Sequence, residues 1–334
     1  MAKIRDNKMT HIANADILKP QLAEKLSQQV KPALRYALGI AATAALTFMA
    51  DAGAGYINRR RNYTPASVRT DLHEGDHTTY TLPGCRTDGE VVGDMLEPQL
   101  AKLGNTHNLS YGEGKIEIDS VKQHLLEARQ ADNGERASVI AMSMGGLVVA
   151  EAFRDPEFAE KFGPIDSLIL DSSPSGIEDI KPSSRRAIRA ASTLRSSYSV
   201  SKISSWAMLQ RAIRNGEASH DEHVTDEQTM QHLKTTANVS LNTVHNQAKF
   251  IEASTVPERS LEHLDINRIY YISSENDPVV QTEQSVKAYE AAFGRKIIHI
   301  IDSSRPEKSH AVIPEYQEMP NMLLKSTQQD LALA

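Results

Sequence analysis

Three residues far apart in this chain have the side chains that nucleophilic acyl chemistry needs: Ser143, Asp277 and His310. A serine hydroxyl attacks poorly until an imidazole can take its proton, and that imidazole needs a fixed carboxylate to hold one tautomer. Ser143 stands in Ser138-Val139-Ile140-Ala141-Met142-Ser143-Met144-Gly145-Gly146-Leu147-Val148-Val149-Ala150. A β-branched apolar run gives way to a serine among small residues and then to good helix formers. The pattern predicts strand, tight turn and helix, the context in which a strained turn projects a nucleophile clear of a sheet. Small-residue turns between strand and helix also cradle phosphate in nucleotide-binding folds, so this motif by itself leaves both readings open.

The other two residues lie where such chemistry could use them. In Arg268-Ile269-Tyr270-Tyr271-Ile272-Ser273-Ser274-Glu275-Asn276-Asp277-Pro278-Val279-Val280 a buried strand ends and an acid falls in the turn before a proline. Pro278 stiffens that turn and disfavours helix at Asp277. His310 follows the last predicted strand, Lys296 to Asp302, on a loop free to reach a site at the strand ends. His299 lies inside that strand and is read as structural. Upstream, the strand Thr78 to Leu82 runs into Pro83-Gly84-Cys85-Arg86-Thr87-Asp88-Gly89. A loop there supplies a backbone N–H to an oxyanion, which assigns one donor to the amide of Cys85 and the second to that of Met144. The Cys85 thiol is not needed for this.

The elements that must position these residues alternate. Helices are predicted over Val91 to Leu103, Ile118 to Arg129, the elbow helix to about Phe153, and Gln281 to Phe293. Strands are predicted near Asn108 to Tyr111 and at Ser167 to Asp171. Alternation of this kind implies a parallel sheet with right-handed crossovers. Ligands bind at the carboxyl ends of such strands, so Asp171 is a candidate for the substrate pocket. From 177 to 264 no strand pattern appears, and an insertion of that length is read as a helical cap over the strand ends. Trp206, the one tryptophan, either lines the pocket or fills the core of the cap. Arg185, Arg186, Arg189 and Arg195 read as a solvated helix face, or as a cluster favouring anionic substrates or a membrane surface. His220-Asp221-Glu222-His223 lacks a third ligand nearby and reads as an exposed loop, so no metal is expected. Residues 62–176 and 265–334 are then the core, with Asn62 to His77 as a linker into it.

Composition narrows the function. Net charge is −6 with no basic bias, which argues against a nucleic-acid partner. A single cysteine excludes an intrachain disulfide and a cysteine metal cluster. Residues 1–61 stand apart: a polar, Lys-rich start precedes an uncharged Ala-rich segment, 36–50, which Arg59-Arg60-Arg61 closes off. That segment is short for a membrane span, which needs about 20 apolar residues. It reads as a signal peptide with small residues at Ala52-Gly53-Ala54, as a membrane anchor over 36–57, or as a buried helix. The compartment therefore stays open between membrane-anchored, exported and cytoplasmic.

The order Ser143, Asp277, His310, each just past a strand in an alternating pattern, resembles the α/β-hydrolase superfamily. Leu82-Pro83-Gly84-Cys85 is similar to its oxyanion loop, Glu275-Asn276-Asp277-Pro278-Val279-Val280 to its acid turn, and Ser309-His310-Ala311 to its histidine loop. The resemblance spans about residues 78 to 325. Ala141 stands where the usual motif has glycine, and no HGGG run is present, which argues against the lipase and esterase branch that uses one. The resemblance implies an α/β-hydrolase fold and a serine hydrolase, free of cofactors, acting on a small-molecule or lipid-like ester, thioester or related acyl bond. An acyltransferase using the same three residues and a non-catalytic, membrane-tethered binding protein are the alternatives.

Overall fold

The computed structural model describes residues 66–85, 87–112, 114–132, 136–193, 241–301 and 310. Among them one sheet contains β1 (Ser67–Asp71), β2 (His77–Leu82), β3 (Gly104–Ser110), β4 (Arg136–Met142), β5 (Ile165–Asp171), β6 (Ile266–Ser273) and β7 (Ile298–Ile301). Their spatial order is β1-β3-β2-β4-β5-β6-β7. β1 pairs antiparallel with β3, and every other neighbouring pair is parallel. From β2 the chain steps outward to β3 and then crosses back to β4 on the other side. The order thus reverses between β2 and β4, and the crevice at their carboxyl ends is where open α/β sheets bind ligands. The Pro83-Gly84-Cys85 loop and Ser143 leave the sheet at those two ends.

The helices among the described residues are α1 (Gly89–Leu100), α2 (Ile118–Ala131), α3 (Met144–Phe153), α4 (Pro156–Phe162), α5 (Pro182–Thr193), α6 (Leu241–Ala253) and α7 (Thr282–Phe293). The central strands are buried along most of their length because helices cover both faces of the sheet. Alternate residues serve opposite sides, as a period of two requires. Val139, Ala141, Leu168, Leu170, Ile269 and Tyr271 share a core with Leu125 of α2, Leu147 and Phe153 of α3, Phe158 and Phe162 of α4 and Phe293 of α7. Ile140, Met142, Ile169, Tyr270 and Ile272 pack with Val92, Leu96 and Leu100 of α1. Emptying a fully buried site such as Leu96 to alanine costs about 2–5 kcal/mol.

Two elements differ from the sequence expectation. Part of the stretch read as a linker, Ser67–Asp71, is the edge strand β1. It is polar because its outer edge meets solvent; Arg69 ties it to Asp94 and Glu97 of α1, and Asp71 accepts from Asn108 of β3 at 3.2 Å. The short helix α4 is an addition, capped by Asp155, whose carboxylate accepts from the amides of Glu157 and Phe158, with Pro156 in its first turn.

Between β5 and β6 the described residues include a 3₁₀ turn at Ile177–Asp179 and the helices α5 and α6. These two helices pack together. Ser192 Oγ donates to Glu252, and His245 Nδ1 donates to the Ala191 carbonyl at 2.9 Å. Trp206, His220, His223 and the apolar segment 36–50 lie outside the described residues. Among the described residues no helix is long and apolar enough to cross a membrane, and no group of His, Cys, Asp and Glu is arranged to hold a metal ion.

Candidate active site

The turn between β4 and α3 is strained at one residue. Ser143 has φ 48° and ψ −117°, a conformation that costs a non-glycine residue about 1–3 kcal/mol and persists only where the surroundings impose it. Here they do. The Ser143 amide donates to the Asp171 carbonyl at the end of β5 at 2.8 Å, and the Gly146 amide donates to the Ser143 carbonyl at 3.0 Å. A Cβ at Gly145 would overlap the Leu82 carbonyl oxygen, and one at Gly84 would lie 3.2 Å from Ser143 Cβ. The ends of β2 and β4 therefore approach as closely as bare backbone allows. Ala141 carries its methyl into the buried core, and its carbonyl accepts from Ser173 Oγ at 3.1 Å.

Asp277 follows β6 with its side chain fully buried. Its Oδ1 accepts from the amides of Val279 at 2.7 Å and Val280 at 2.9 Å. His310 Nδ1 lies 2.9 Å from Oδ2 and 3.1 Å from Oδ1. A carboxylate can only accept, so in the neutral ring Nδ1 carries the proton and Nε2 keeps its lone pair. That lone pair faces Ser143 Oγ at 2.8 Å. Burial alone would raise the Asp277 pKa, but the hydrogen bond and charge of His310, with the Val280 and Val279 amides, hold it below the usual aspartate value.

The acid turn is itself anchored. Val280 bridges to Ile180, the Lys181 amide donates to the Val279 carbonyl at 2.7 Å, and the Gln281 amide donates to the Asp179 carbonyl at 2.7 Å. The Asp179 carboxylate gathers donors from both sides of this bridge: the Ser175 amide at 3.1 Å, the Ser175 hydroxyl, and the Ser285 hydroxyl at 3.2 Å. The segment entering α5 and the turn bearing Asp277 are thereby one unit. Nothing local in the sequence marks Asp179, whose partners come from two separate elements.

Of the remaining sequence candidates, Met144 opens α3, where the first amides of a helix have no intrahelical acceptor. Cys85 follows Gly84 in the loop packed against Ser143. The Tyr111 hydroxyl donates to the Pro83 carbonyl of that loop at 3.0 Å, and the Cys85 thiol donates to Gln247 Oε1 on α6 at 3.3 Å. Asp171 enters the site by its main chain: it is fully buried, and its carbonyl receives the Ser143 amide.

This fold is that of the α/β-hydrolases. No family model and no curated protein sequence matches the chain, but solved structures do. An esterase from Exiguobacterium antarcticum superposes with a TM-score of 0.56 at 12% identity, over 79% of this chain and 95% of the esterase. An N-acyl homoserine lactonase complexed with N-hexanoyl homoserine gives 0.54 at 15% identity, over 80% and 96%. A meta-cleavage product hydrolase from Pseudomonas fluorescens gives 0.53 at 13%, over 79% and 94%. The chain has the α/β-hydrolase fold that its strand and helix order resembles.

Proposed function

We propose that this protein is a serine hydrolase that cleaves an ester, thioester or related acyl bond of a small-molecule or lipid-like substrate. The observation that carries the reading is the unbroken chain from Ser143 Oγ to His310 Nε2, and from His310 Nδ1 to the buried Asp277 carboxylate. Nothing in a folded core requires a serine held at positive φ beneath an imidazole, whereas a nucleophile elbow does. The esterase, the lactonase and the meta-cleavage product hydrolase of like fold are hydrolases by name, which accords with the reading.

In this mechanism His310 takes the Ser143 proton as the oxygen attacks the acyl carbonyl. The C–O or C–S bond to the leaving group breaks as His310 returns the proton, and an acyl-enzyme remains. Water, giving a proton to His310, then attacks the acyl carbon; the acyl–Oγ bond breaks as His310 returns that proton to Ser143 Oγ, and the acid leaves. Asp277 holds the tautomer and stabilises the imidazolium. The amides of Cys85 and Met144 would receive the oxyanion, each worth on the order of 3 kcal/mol in the transition state.

Ser143→Ala is expected to abolish labelling by a fluorophosphonate probe and to lower p-nitrophenyl ester turnover by on the order of 10⁴-fold or more. Turnover that survives the substitution unchanged would remove Ser143 from the chemistry. Product analysis with added alcohols or amines reports whether water is the acyl acceptor.

A further inference from the structure

Gln247 is a buried carboxamide on α6, 3% exposed, to which the mechanism above gives no part. Its Oε1 receives the Cys85 thiol at 3.3 Å across 162 residues of sequence. Cys85 belongs to the loop whose next residue back, Gly84, packs against Ser143, and whose Pro83 carbonyl is held by Tyr111 from the end of β3. Pro83 and Gly84 are thus fixed to the sheet, while Cys85 is tied to α6. That helix is in turn joined to α5 and, through the Gly176–Thr255 bridge and the Val256 amide on the Ser175 carbonyl, to the end of β5.

A backbone donor aimed at an oxyanion has to be held within about 0.5 Å of its working position. We infer that Gln247 is a positioning residue: through the Cys85 thiol it fixes the amide of Cys85, so that the oxyanion site is complete only when α6 is seated. This rests on the serine-hydrolase reading and adds to it a dependence of catalysis on the segment between β5 and β6. The side chain touches no reacting atom. Its effect belongs in the rate of the chemical step rather than in substrate affinity.

The experiment makes Gln247→Leu, Cys85→Ala and the double variant in the full chain, with p-nitrophenyl ester kinetics on each. Each single change is expected to lower kcat on the order of tenfold, less than the hundredfold that a 1 Å misplacement costs, with KM within about twofold. The double variant is expected to be no slower than the slower single one, since both cut the same contact. Gln247→Glu keeps an acceptor oxygen and should recover most of the rate. Cys85→Ala leaves the packing of α6 intact and so guards against a Gln247 variant that does not fold. Because Cys85 is the chain's one cysteine, its reaction with N-ethylmaleimide reads the contact without any turnover, and it should quicken severalfold in Gln247→Leu. Additive losses in the double variant, a change in KM alone, or an unaltered thiol rate would each overturn the proposal. No ester hydrolysis by the wild-type protein, together with a quickened thiol in Gln247→Leu, would instead strike the hydrolase reading, leaving the contact in place.

Discussion

Asp277 shows how much a single carboxylate is asked to do. One oxygen takes two backbone amides and the other takes the His310 ring, so every partner is a donor. Asparagine cannot satisfy that set. Turned one way, its NH2 meets His310 and selects the wrong tautomer; turned the other way, it meets the amides of Val279 and Val280. Asp277→Asn is therefore expected to lower kcat on the order of 10⁴-fold while leaving the backbone course unchanged. Steady-state kinetics beside a circular dichroism spectrum check this, and a loss below tenfold would contradict it. The three residues of this chain of contacts were legible in the sequence because each stands just past a run with a strand's pattern. The Cys85–Gln247 contact was not. It joins residues with no shared motif, through a helix in a segment whose composition shows only that it lacks strands.

At the scale of elements, the bridge between Asp179–Lys181 and Val279–Gln281 makes the acid turn as firm as the root of α5. Removing the carboxylate that collects the Ser175 and Ser285 donors leaves buried groups without an acceptor, at a cost of about 1–3 kcal/mol. Asp179→Ala should lose that much in urea denaturation and lower kcat roughly tenfold as the Asp277 turn loosens, while Asp179→Asn, which keeps an oxygen, should lose much less of both. Retained kcat in the alanine variant would show that the turn holds itself. Element types followed periodicity closely, and ends differed by a few residues. The exceptions have physical causes. β1 has a single apolar side chain, Val68, and is fixed mainly by its ladder to β3 and the ion pairs of Arg69, so it resembles a linker. α4 is two turns long, and its signal lay in the Asp155-Pro156 start, which only matters once a helix is suspected.

For the whole molecule, the buried histidine of β3 sets an acid limit. His107 is 3% exposed, stacked on Tyr80 at 5.0 Å between ring centres, with Nδ1 2.9 Å from Thr70 Oγ1 and Nε2 buried with no partner among the described residues. Burial pushes its pKa down, and the charges of Asp132 and Asp71 oppose that only in part. The unfolded chain takes up this proton near pH 6.5 and the folded one only at lower pH. Between the two the unfolded state binds more protons, so stability rises with pH. It is complete above about 6.5 and falls as pH drops through the folded value. The melting temperature should be lower at about pH 5.5 than at about pH 7.5. His107→Gln should flatten that slope without abolishing it, because burial also lowers the pKa of His299. An unchanged slope would assign the acid limit elsewhere. Asp277 adds a second loss of the same sign below about pH 4, since its folded pKa is also depressed. A last consequence follows from the interlock of Gly145 with the Leu82 carbonyl, which leaves no room for a single added methyl, beside Gly84, where one would press on Ser143. Such a seam cannot drift. Laboratory evolution of the proposed activity should find its gains by randomising α5 and α6, whereas a library at Gly145 should return mostly insoluble protein.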